Sequence, residues 1–368
     1  MKKLLLILLI PLLFCSCKEG EQIDEIAFVK IIAIDECEKG LRVTAGIQLP
    51  KSKDTEKVES KDYISVECET LSEGFNMLEA STDNKMFFGQ ISCVLLGENM
   101  ARKGIIDTVD YLVRSDELRF DIPVIVVKGE EAKKIIEDNS GQERHISDRI
   151  TKLLESNYST SSSGQVELSQ LVEMLEDPFR SPYLPYIVTD NEKDGFRVEG
   201  YCIFEKDRVL DFADKEKSLG INFLNSDVEN LVLISDIDEK KVTIKVSDFK
   251  SKIKMEDGIF KIGINFQTEV LQADSDIEKF DSMLSEKIID FQNGEIERIT
   301  KETLIYLKSK KCDVATFGDS FHNISPKTAE KYIDAWGETF SKITFEISVD
   351  SKLDPSKTSG KPVKQGGD

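Results

Sequence analysis

A strand–helix–strand pattern in the first half of the chain restricts its fold more than any other feature. Residues 91–96 and 122–127 are short apolar runs, and between them apolar residues recur at helical spacing from Ile105 to Val113. A second helical stretch follows Gly129. Two strands joined by a helical crossover lie parallel, and the crossover is right-handed. The pattern therefore predicts a sheet that contains a right-handed βαβ unit.

The flanking patterns extend this unit to an N-terminal α/β domain with a mixed sheet over residues 26–190. They predict, in chain order, a hairpin (26–34 and 41–49), a strand (63–69), a helix capped by Ser72, a polar loop (156–164), a helix (166–175) and an irregular stretch around Pro182 and Pro185. The first domain boundary is predicted near residue 190.

The second half, residues 196–350, is predicted as a C-terminal α+β region with a sheet and a long amphipathic helix. Its patterns indicate a hairpin (198–204 and 208–212), a helix (219–224), strands (231–234, 242–246 and 259–270), the long helix (277–307), a loop at 317–319, a helix (329–340) and a last strand (343–349). A further division near residue 250 is left open. Residues 351–368 are rich in Lys, Pro and Gly and are predicted to be disordered. The fold class is therefore a multi-domain α+β (mixed α/β) protein.

The first residues of the chain have the pattern of a secretory signal peptide. Lys2 and Lys3 precede an unbroken apolar run over residues 4–14, which is too short to span a bilayer. Ser16 and Cys17 follow, in the arrangement of a bacterial lipobox. We therefore predict a signal peptide over 1–16 and a lipid anchor on Cys17, with a tether that ends at residue 25. Plain secretion with an incidental cysteine and an uncleaved anchor are the alternatives.

The charge of the chain excludes some partners. The formal net charge is -20, and loss of the two lysines in the signal peptide makes it more negative. Such an acidic body repels nucleic-acid phosphates and anionic headgroups, so no nucleic-acid partner is expected. Membrane attachment would come from lipid chains on Cys17, of which two or more hold a protein firmly.

The cysteines do not form a recognisable framework. The chain has seven cysteines, and none is paired at C-x-x-C spacing. Five remain if the first two, Cys15 and Cys17, are discounted. Cys93 and Cys202 lie in apolar runs and are interpreted as small core residues. The sequence therefore predicts neither a disulfide scaffold nor a zinc ribbon.

No pattern of catalytic residues stands out, so the chain is predicted not to be an enzyme. Its two histidines, His145 and His322, lie in unrelated segments, and no nucleotide-binding or nucleophile motif is present. Asp236 and Asp238 lack the glycine and terminal glutamate of a calcium loop and are interpreted as a solvated turn. No catalytic, cofactor or metal residue is assigned. Trp336 has apolar neighbours at helical spacing and is assigned to the core.

Motifs spread along the chain, in a fixed order, resemble the Ger(x)C family of spore germination lipoproteins. Each motif is short, and their order and spacing carry the resemblance. They are Cys17 before Ile23–Ala27, the run Ile32–Asp35, Leu78-Glu79-Ala80, Val94–Glu98, Asp110–Arg119, Ile125–Ala132, Glu199–Phe204, Cys312-Asp313 with Phe317-Gly318, and Trp336 with Phe340. Lys18-Glu19 stand where the family has Trp-Asp.

The resemblance implies the C subunit of a nutrient germinant receptor. It implies a non-enzymatic protein with a multi-domain mixed α/β fold, lipid-anchored on the outer face of the inner membrane of a spore. It also implies integral-membrane A and B subunits as partners. The alternative is a solute-binding lipoprotein of a transporter, a class that usually has two similar lobes around a cleft. A partner-facing patch is predicted near Ile26 and Phe28 and around Phe317 and Trp336, if these prove exposed.

Overall fold

The computed structural model describes residues 26–48, 62–141, 146–159, 163–190, 195–237, 240–273, 282–324 and 326–354. Over these ranges the chain is an α+β protein with two sheets and a two-domain architecture, which confirms the predicted fold class. The signal peptide predicted over 1–16, the lipid anchor at Cys17 and the tether up to residue 25 lie outside the described residues.

The first sheet has nine strands in the described part of the chain. In spatial order they are β3 (Tyr63–Cys68), β2 (Gly40–Gln48), β1 (Ile26–Cys37), β5 (Cys93–Gly97), β6 (Val124–Lys128), β7 (Tyr183–Asp190), β8 (Gly195–Glu205) and β9 (Arg208–Phe212), and β4 (Lys85–Phe87) pairs with the start of β1. Strands β1, β5, β6 and β7 are mutually parallel, and the outer pairs are antiparallel. The predicted first hairpin and the parallel βαβ unit are both confirmed.

Helices cover both faces of this sheet. They are α1 (Leu71–Ala80), α2 (Glu98–Lys103), α3 (Ile106–Arg114), α4 (Ala132–Glu137), α5 (Ile146–Ser159) and α6 (Leu168–Glu176). One face of β1, with Ile32 and Ile34, shares a core with α1, α3 and α6, and the other face, with Ile31 and Ala33, shares a core with α4 and α5. A central strand buried on both faces is apolar at every position, which is why the sequence shows short unbroken apolar runs here.

Three local predictions in the first half are wrong. Helix α1 is capped by Thr70, whose Oγ1 accepts the Glu73 N–H at 3.3 Å, and not by Ser72. The predicted polar loop at 156–164 begins too early, because α5 continues to Ser159. The stretch around Pro182 and Pro185 is strand β7, in which pairing with β6 begins only at Tyr186. Pro185 therefore has no paired residue on β6, so the N–H group that proline lacks is not needed for that pairing.

The second half contains a four-stranded sheet in the described residues. Its order is β10 (Val232–Ile237), β11 (Lys240–Glu256), β12 (Ile259–Ala273) and β13 (Thr344–Asp354), with β12 and β13 parallel and the other pairs antiparallel. The helical elements are α7 (Lys215–Asn225), α8 (Ser282–Lys310), α9 (Phe317–Ile324), α10 (Pro326–Ala329), a 3-10 helix (Glu330–Ala335) and α11 (Trp336–Phe340). The predicted long helix corresponds to α8, whose buried side chains include Ile288, Ile296 and Leu304.

Several second-half elements differ from the sequence prediction. The hairpin β8–β9 forms where it was predicted, but it extends the first sheet beyond residue 190. The division left open near residue 250 falls inside β11. The loop predicted at 317–319 is wrong, because Phe317 begins helix α9. Strand β13 continues to Asp354, so the first four residues of the predicted disordered tail are strand, and residues 355–368 lie outside the described residues.

A single apolar core joins the two sheets. The largest cluster of buried side chains extends from Val29 on β1 to Ile343 before β13. It includes Phe204 on β8, Phe223 on α7 and Phe260 on β12. Because these side chains belong to both parts of the chain, the two sheets pack as one body and bring residues 177–182 against the segment that follows α8.

Candidate functional site at the junction of the two sheets

The segment that follows α8 holds a fully buried carboxylate, Asp313, at the junction of the two sheets. Its side chain is 1% exposed. Oδ1 accepts the Ala315 N–H at 3.1 Å, and Oδ2 accepts the Gly318 N–H at 2.9 Å. Oδ2 also accepts the indole N–H of Trp336 at 3.1 Å. The Asp313 carboxylate thus caps the start of α9 and fixes the position of the indole.

Burial shifts the protonation of Asp313. Removal of the carboxylate from water raises the pKa of Asp313 to about 7. The hydrogen bonds from Gly318, Ala315 and Trp336 and the Arg180 guanidinium oppose this shift, because they favour the charged form. Loss of any one of these donors would leave a buried acid oxygen without a partner, and this would lower the free energy of unfolding.

Aromatic rings enclose the carboxylate. The Trp336 ring lies edge-on to Phe179, with ring centroids 5.4 Å apart, and stacks on Phe321 at 5.8 Å. Gly318 lies against Phe179 so closely that a Cβ at residue 318 would overlap the Cβ and Cγ of Phe179. The glycine is therefore required by packing. Phe179, Arg180, Asp313, Gly318 and Trp336 are referred to below as the junction cluster.

Hydrogen bonds tie this cluster to α7 and join the segments before β7 and after α8. The Ser181 N–H donates to the Asp313 carbonyl at 2.6 Å, which joins the segment before β7 to the segment after α8. Arg180 Nη2 donates to Asn225 Oδ1 at 3.3 Å, and Asn225 Nδ2 donates to the Val314 carbonyl at 3.2 Å. The segment before β7, helix α7 and the segment after α8 therefore meet at one point.

A second buried carboxylate, Asp35, lies at the end of β1. It accepts the Ala132 N–H at 2.6 Å and the Lys133 N–H at 2.9 Å, and so caps helix α4. Burial raises the pKa of Asp35, against the effect of these two hydrogen bonds. A Cβ at Gly97 would overlap Asp35 Oδ1, so the neighbouring strand has to present glycine at this position.

Both carboxylates bind backbone and indole N–H groups and leave no access for a substrate. A general acid or base has to reach the proton that it transfers, and the side chain of Asp313 is buried beneath the Trp336 indole that donates to it. In the ranges that the structure describes, no group of three or more His, Cys, Asp or Glu side chains is placed to hold a metal ion. The junction cluster is held together by hydrogen bonds and ring contacts between remote segments of the chain.

Part of the predicted partner patch is buried in the core. Phe317 and Trp336 are buried, so these two residues do not meet the condition of exposure, and the assignment of Trp336 to the core is confirmed. Ile26 and Phe28 are half-buried at the start of β1. Cys17 lies outside the described residues, so its lipidation stays a prediction.

Other singled-out residues occupy ordinary positions. Cys93 and Cys202 are buried thiols, as predicted. His322 is half-buried on α9, with its ring centroid 6.0 Å from that of Phe179, and His145 lies outside the described residues. Asp236 is exposed on β10.

Sequence reasoning misses the role of three residues. In the sequence, Asp313 stands out only as part of a motif, and Asp35 only as the end of an apolar run. A single acid directly after an apolar run could have marked Asp35, whereas Asp313 follows Lys311 and Cys312 and has no such signal. Arg180 has no signal in the sequence, because its charge partners come from remote segments.

The described part of the chain has no helix that is both long and apolar enough to cross a membrane. The two sheets differ in strand number and order, so these residues do not form two similar lobes. The fold and the junction cluster define a two-domain α+β protein in which two buried acids cap helices.

Comparison with known proteins gives the family. The family model described as spore germination protein N-terminal domain matches residues 19–189, and the model described as spore germination B3/GerAC-like, C-terminal, matches residues 199–356. The chain belongs to the GerAC-like family of spore germination proteins, also called Ger(x)C, which confirms the resemblance seen in the sequence.

Individual relatives cover almost the whole chain. Spore germination protein B3 of Bacillus subtilis (strain 168) is 21% identical over 367 residues, which are 95% of this chain and 96% of that protein. YfkR of the same organism, described as a putative spore germination protein, is 24% identical over 371 residues, 94% of this chain and 95% of that protein. The crystal structure of the GerBC protein matches with a TM-score of 0.58 at 19% identity, over 88% of this chain and 96% of that one, and shows a shared fold.

Proposed function

We propose that this protein is the membrane-anchored C subunit of a nutrient germinant receptor. In this role it acts in spore germination by binding integral-membrane A and B subunits. The observation that carries the proposal is the match of both parts of the chain, residues 19–189 and 199–356, to families of germination proteins. Relatives described as spore germination proteins support the same role, because the match covers nearly the whole length of this chain and of theirs.

The proposed anchor is a lipid on Cys17, after removal of residues 1–16. It is supported by the short apolar run and by the small residue before the cysteine. The anchor would hold the protein on the outer face of the inner spore membrane. A tethered protein meets its membrane partners at a high effective concentration, so modest contacts suffice for assembly.

The protein is proposed to work by binding and not by catalysis. Its buried acids, Asp35 and Asp313, are engaged by N–H donors of the chain itself. A binding subunit requires a rigid body that presents surfaces, and the core shared by the two sheets supplies such a body. The nutrient is expected to act on the assembled receptor.

A Cys17→Ala variant tests the anchor and its role together. We expect the variant to leave the membrane fraction or to remain unprocessed, and spores that carry it to respond poorly to nutrients. Cys37→Ala serves as the matched control, because Cys37 is a half-buried free thiol at the end of β1. An unmodified Cys17 in mature, membrane-bound protein, read by mass spectrometry, would refute the anchor.

The binding role has a separate test. Alanine or charge-reversal variants at exposed positions should include some that abolish nutrient-triggered germination while the protein stays folded and membrane-bound. If every stable surface variant germinates normally, the binding role is wrong. If activity instead depends on one acid or histidine in a pocket, an enzyme is indicated.

A further inference from the structure

An aromatic pair lies where the described chain begins. Phe28 is the third residue of β1, and Phe87 is the last residue of β4, directly opposite in the parallel register. Their rings meet edge to face, with centroids 6.1 Å apart. Phe28 is half-buried and Phe87 is 47% exposed, so the pair presents aromatic surface to the solvent.

A third aromatic side chain is exposed at the same end of the sheet. Phe120 is 52% exposed and lies just before β6. Strands β1, β5 and β6 are parallel neighbours, and the Ser92 N–H donates to the Lys30 carbonyl while the Val94 N–H donates to the Pro123 carbonyl. The starts of neighbouring parallel strands share one edge of the sheet, so Phe120 belongs to the end that carries Phe28 and Phe87. These three aromatic residues are called the strand-start patch.

The charges around the patch are mixed, in contrast to the acidic chain as a whole. Lys30, half-buried, and Lys85, exposed, lie beside the aromatic pair on β1 and β4. Arg119 and Asp121 flank Phe120 and pair with each other, with Nε and Oδ1 2.8 Å apart. Exposed Phe side chains next to lysine and arginine are a combination found on surfaces that lie at a membrane interface, where the ring enters the headgroup and acyl boundary and the charged group remains in water.

Covalent reach connects this end of the sheet to the proposed anchor. Eight residues separate Cys17 from Ile26, the first residue of β1. Nine Cα–Cα steps span at most about 30 Å, so a lipid on Cys17 keeps the start of β1 within that distance of the bilayer. At such a distance the patch samples the surface at a high effective concentration, and weak insertion of a few rings is enough to fix an orientation.

We infer that the strand-start patch rests on the lipid bilayer and orients the protein, with the first sheet's strand starts facing the membrane. This inference relies on the proposed anchor at Cys17. The bilayer is favoured over a protein partner as the occupant because the patch adjoins the tether, whatever partner is present. In this orientation, the opposite end of the first sheet, where the parallel strands end, points away from the membrane.

Fluorescence quenching in vesicles tests this orientation. The full lipidated chain with Phe87→Trp is reconstituted into phosphatidylethanolamine and phosphatidylglycerol vesicles, with and without brominated acyl chains. Ile234→Trp is the matched control, because Ile234 is 64% exposed on the second sheet. The natural Trp336 is buried and gives a common background in both variants.

We expect brominated lipid to reduce the added emission of Phe87→Trp at least about twofold, which requires the ring to reach the acyl boundary. The emission of Ile234→Trp should change little. Equal quenching of the two variants, or none in either while the protein floats with the vesicles, overturns the inference and leaves the anchor intact. Protein that does not float with the vesicles refutes the anchor itself, and with it the basis of the orientation. If the added indole of the Phe87→Trp variant is shielded only when membrane subunits are present, a protein partner is the occupant and the inference is overturned.

Discussion

At the scale of single residues, Asp313 decides how the junction cluster responds to pH. Its folded-state pKa is about 7, against an ordinary value of 3.8. The folded chain therefore holds a proton at this site that the unfolded chain releases between these pH values. The contribution of protonated Asp313 to the stability of the fold is fully present below pH 3.8. It is lost as the pH rises towards 7, because a charge then has to form in the buried site.

Asp313→Asn should remove this pH dependence while keeping the volume of the side chain. We expect the free energy of unfolding of the natural chain, relative to the variant, to be largest near pH 4 and to fall towards about pH 8. Chemical denaturation of the mature chain at several pH values measures the difference. Asp236→Asn, at an exposed position on β10, is the control. A relative stability that rises with pH would mean that Asp313 is held as a favoured anion.

Gly318 and Gly294 form a matched pair of glycine tests. A Cβ at residue 318 would overlap Phe179, so Gly318→Ala should destabilise the chain by about 1–3 kcal/mol, as overpacking does. Gly294 is exposed inside α8 with nothing near its Cβ position, so Gly294→Ala should stabilise it by roughly 0.5–1 kcal/mol. Thermal denaturation gives both signs, and similar effects at the two positions would contradict the packing account.

At the scale of secondary-structure elements, α4 depends on a cap supplied by another element. Asp35→Ala would leave the Ala132 and Lys133 N–H groups without their acceptor, which costs about 1–3 kcal/mol. Amide hydrogen exchange should become faster in α4. Thr70→Ala, which removes the cap of α1, should speed exchange in α1 instead. Equal exchange in α4 of Asp35→Ala and the natural chain would show that the cap does not stabilise this helix.

The elements also show what the sequence can predict and why the rest is hidden. The sequence predicts runs buried on both faces, such as 91–96, and amphipathic helices, such as α8. In both cases the spacing of the apolar residues indicates which side chains are buried. The sequence predicts a loop in place of helix α9 because Phe317-Gly318-Asp319 has the composition of a turn, and the cap that starts the helix, Asp313, lies four residues before it. It does not predict strand β7 because Pro185 suggests irregularity, and only the β6 register reveals that no donor is needed there.

The site follows the same rule. The motif residues Asp313, Gly318 and Trp336 can be noticed in the sequence, but not their mutual hydrogen bonds and contacts. Phe317 and Trp336 are not candidates for the partner patch, because these two aromatic residues, beside an apparent loop in the sequence, are buried at the starts of α9 and α11. Exposure is a property of the assembled body, and local pattern does not contain it.

At the scale of the whole molecule, the continuous core predicts cooperative unfolding. Strands β8 and β9 extend the first sheet, and the largest core cluster joins both sheets. A fragment ending at residue 190 should therefore lack a cooperative transition or aggregate, whereas the chain that begins at residue 18 should unfold in one transition by calorimetry and circular dichroism. Two separated transitions would indicate that the sheets are energetically independent. Recovery of the longer chain only in detergent would show that another segment needs the bilayer.

The central claim is that this protein acts in germination as a bound subunit on the spore membrane. Its most direct test is purification of the full-length protein from detergent-extracted spore membranes, followed by identification of the proteins that accompany it. We expect the natural chain to bring down two integral-membrane receptor subunits in near-stoichiometric amounts, and Cys17→Ala to bring down far less. Natural protein that is lipidated, folded and membrane-bound, and that is recovered alone, would contradict the account.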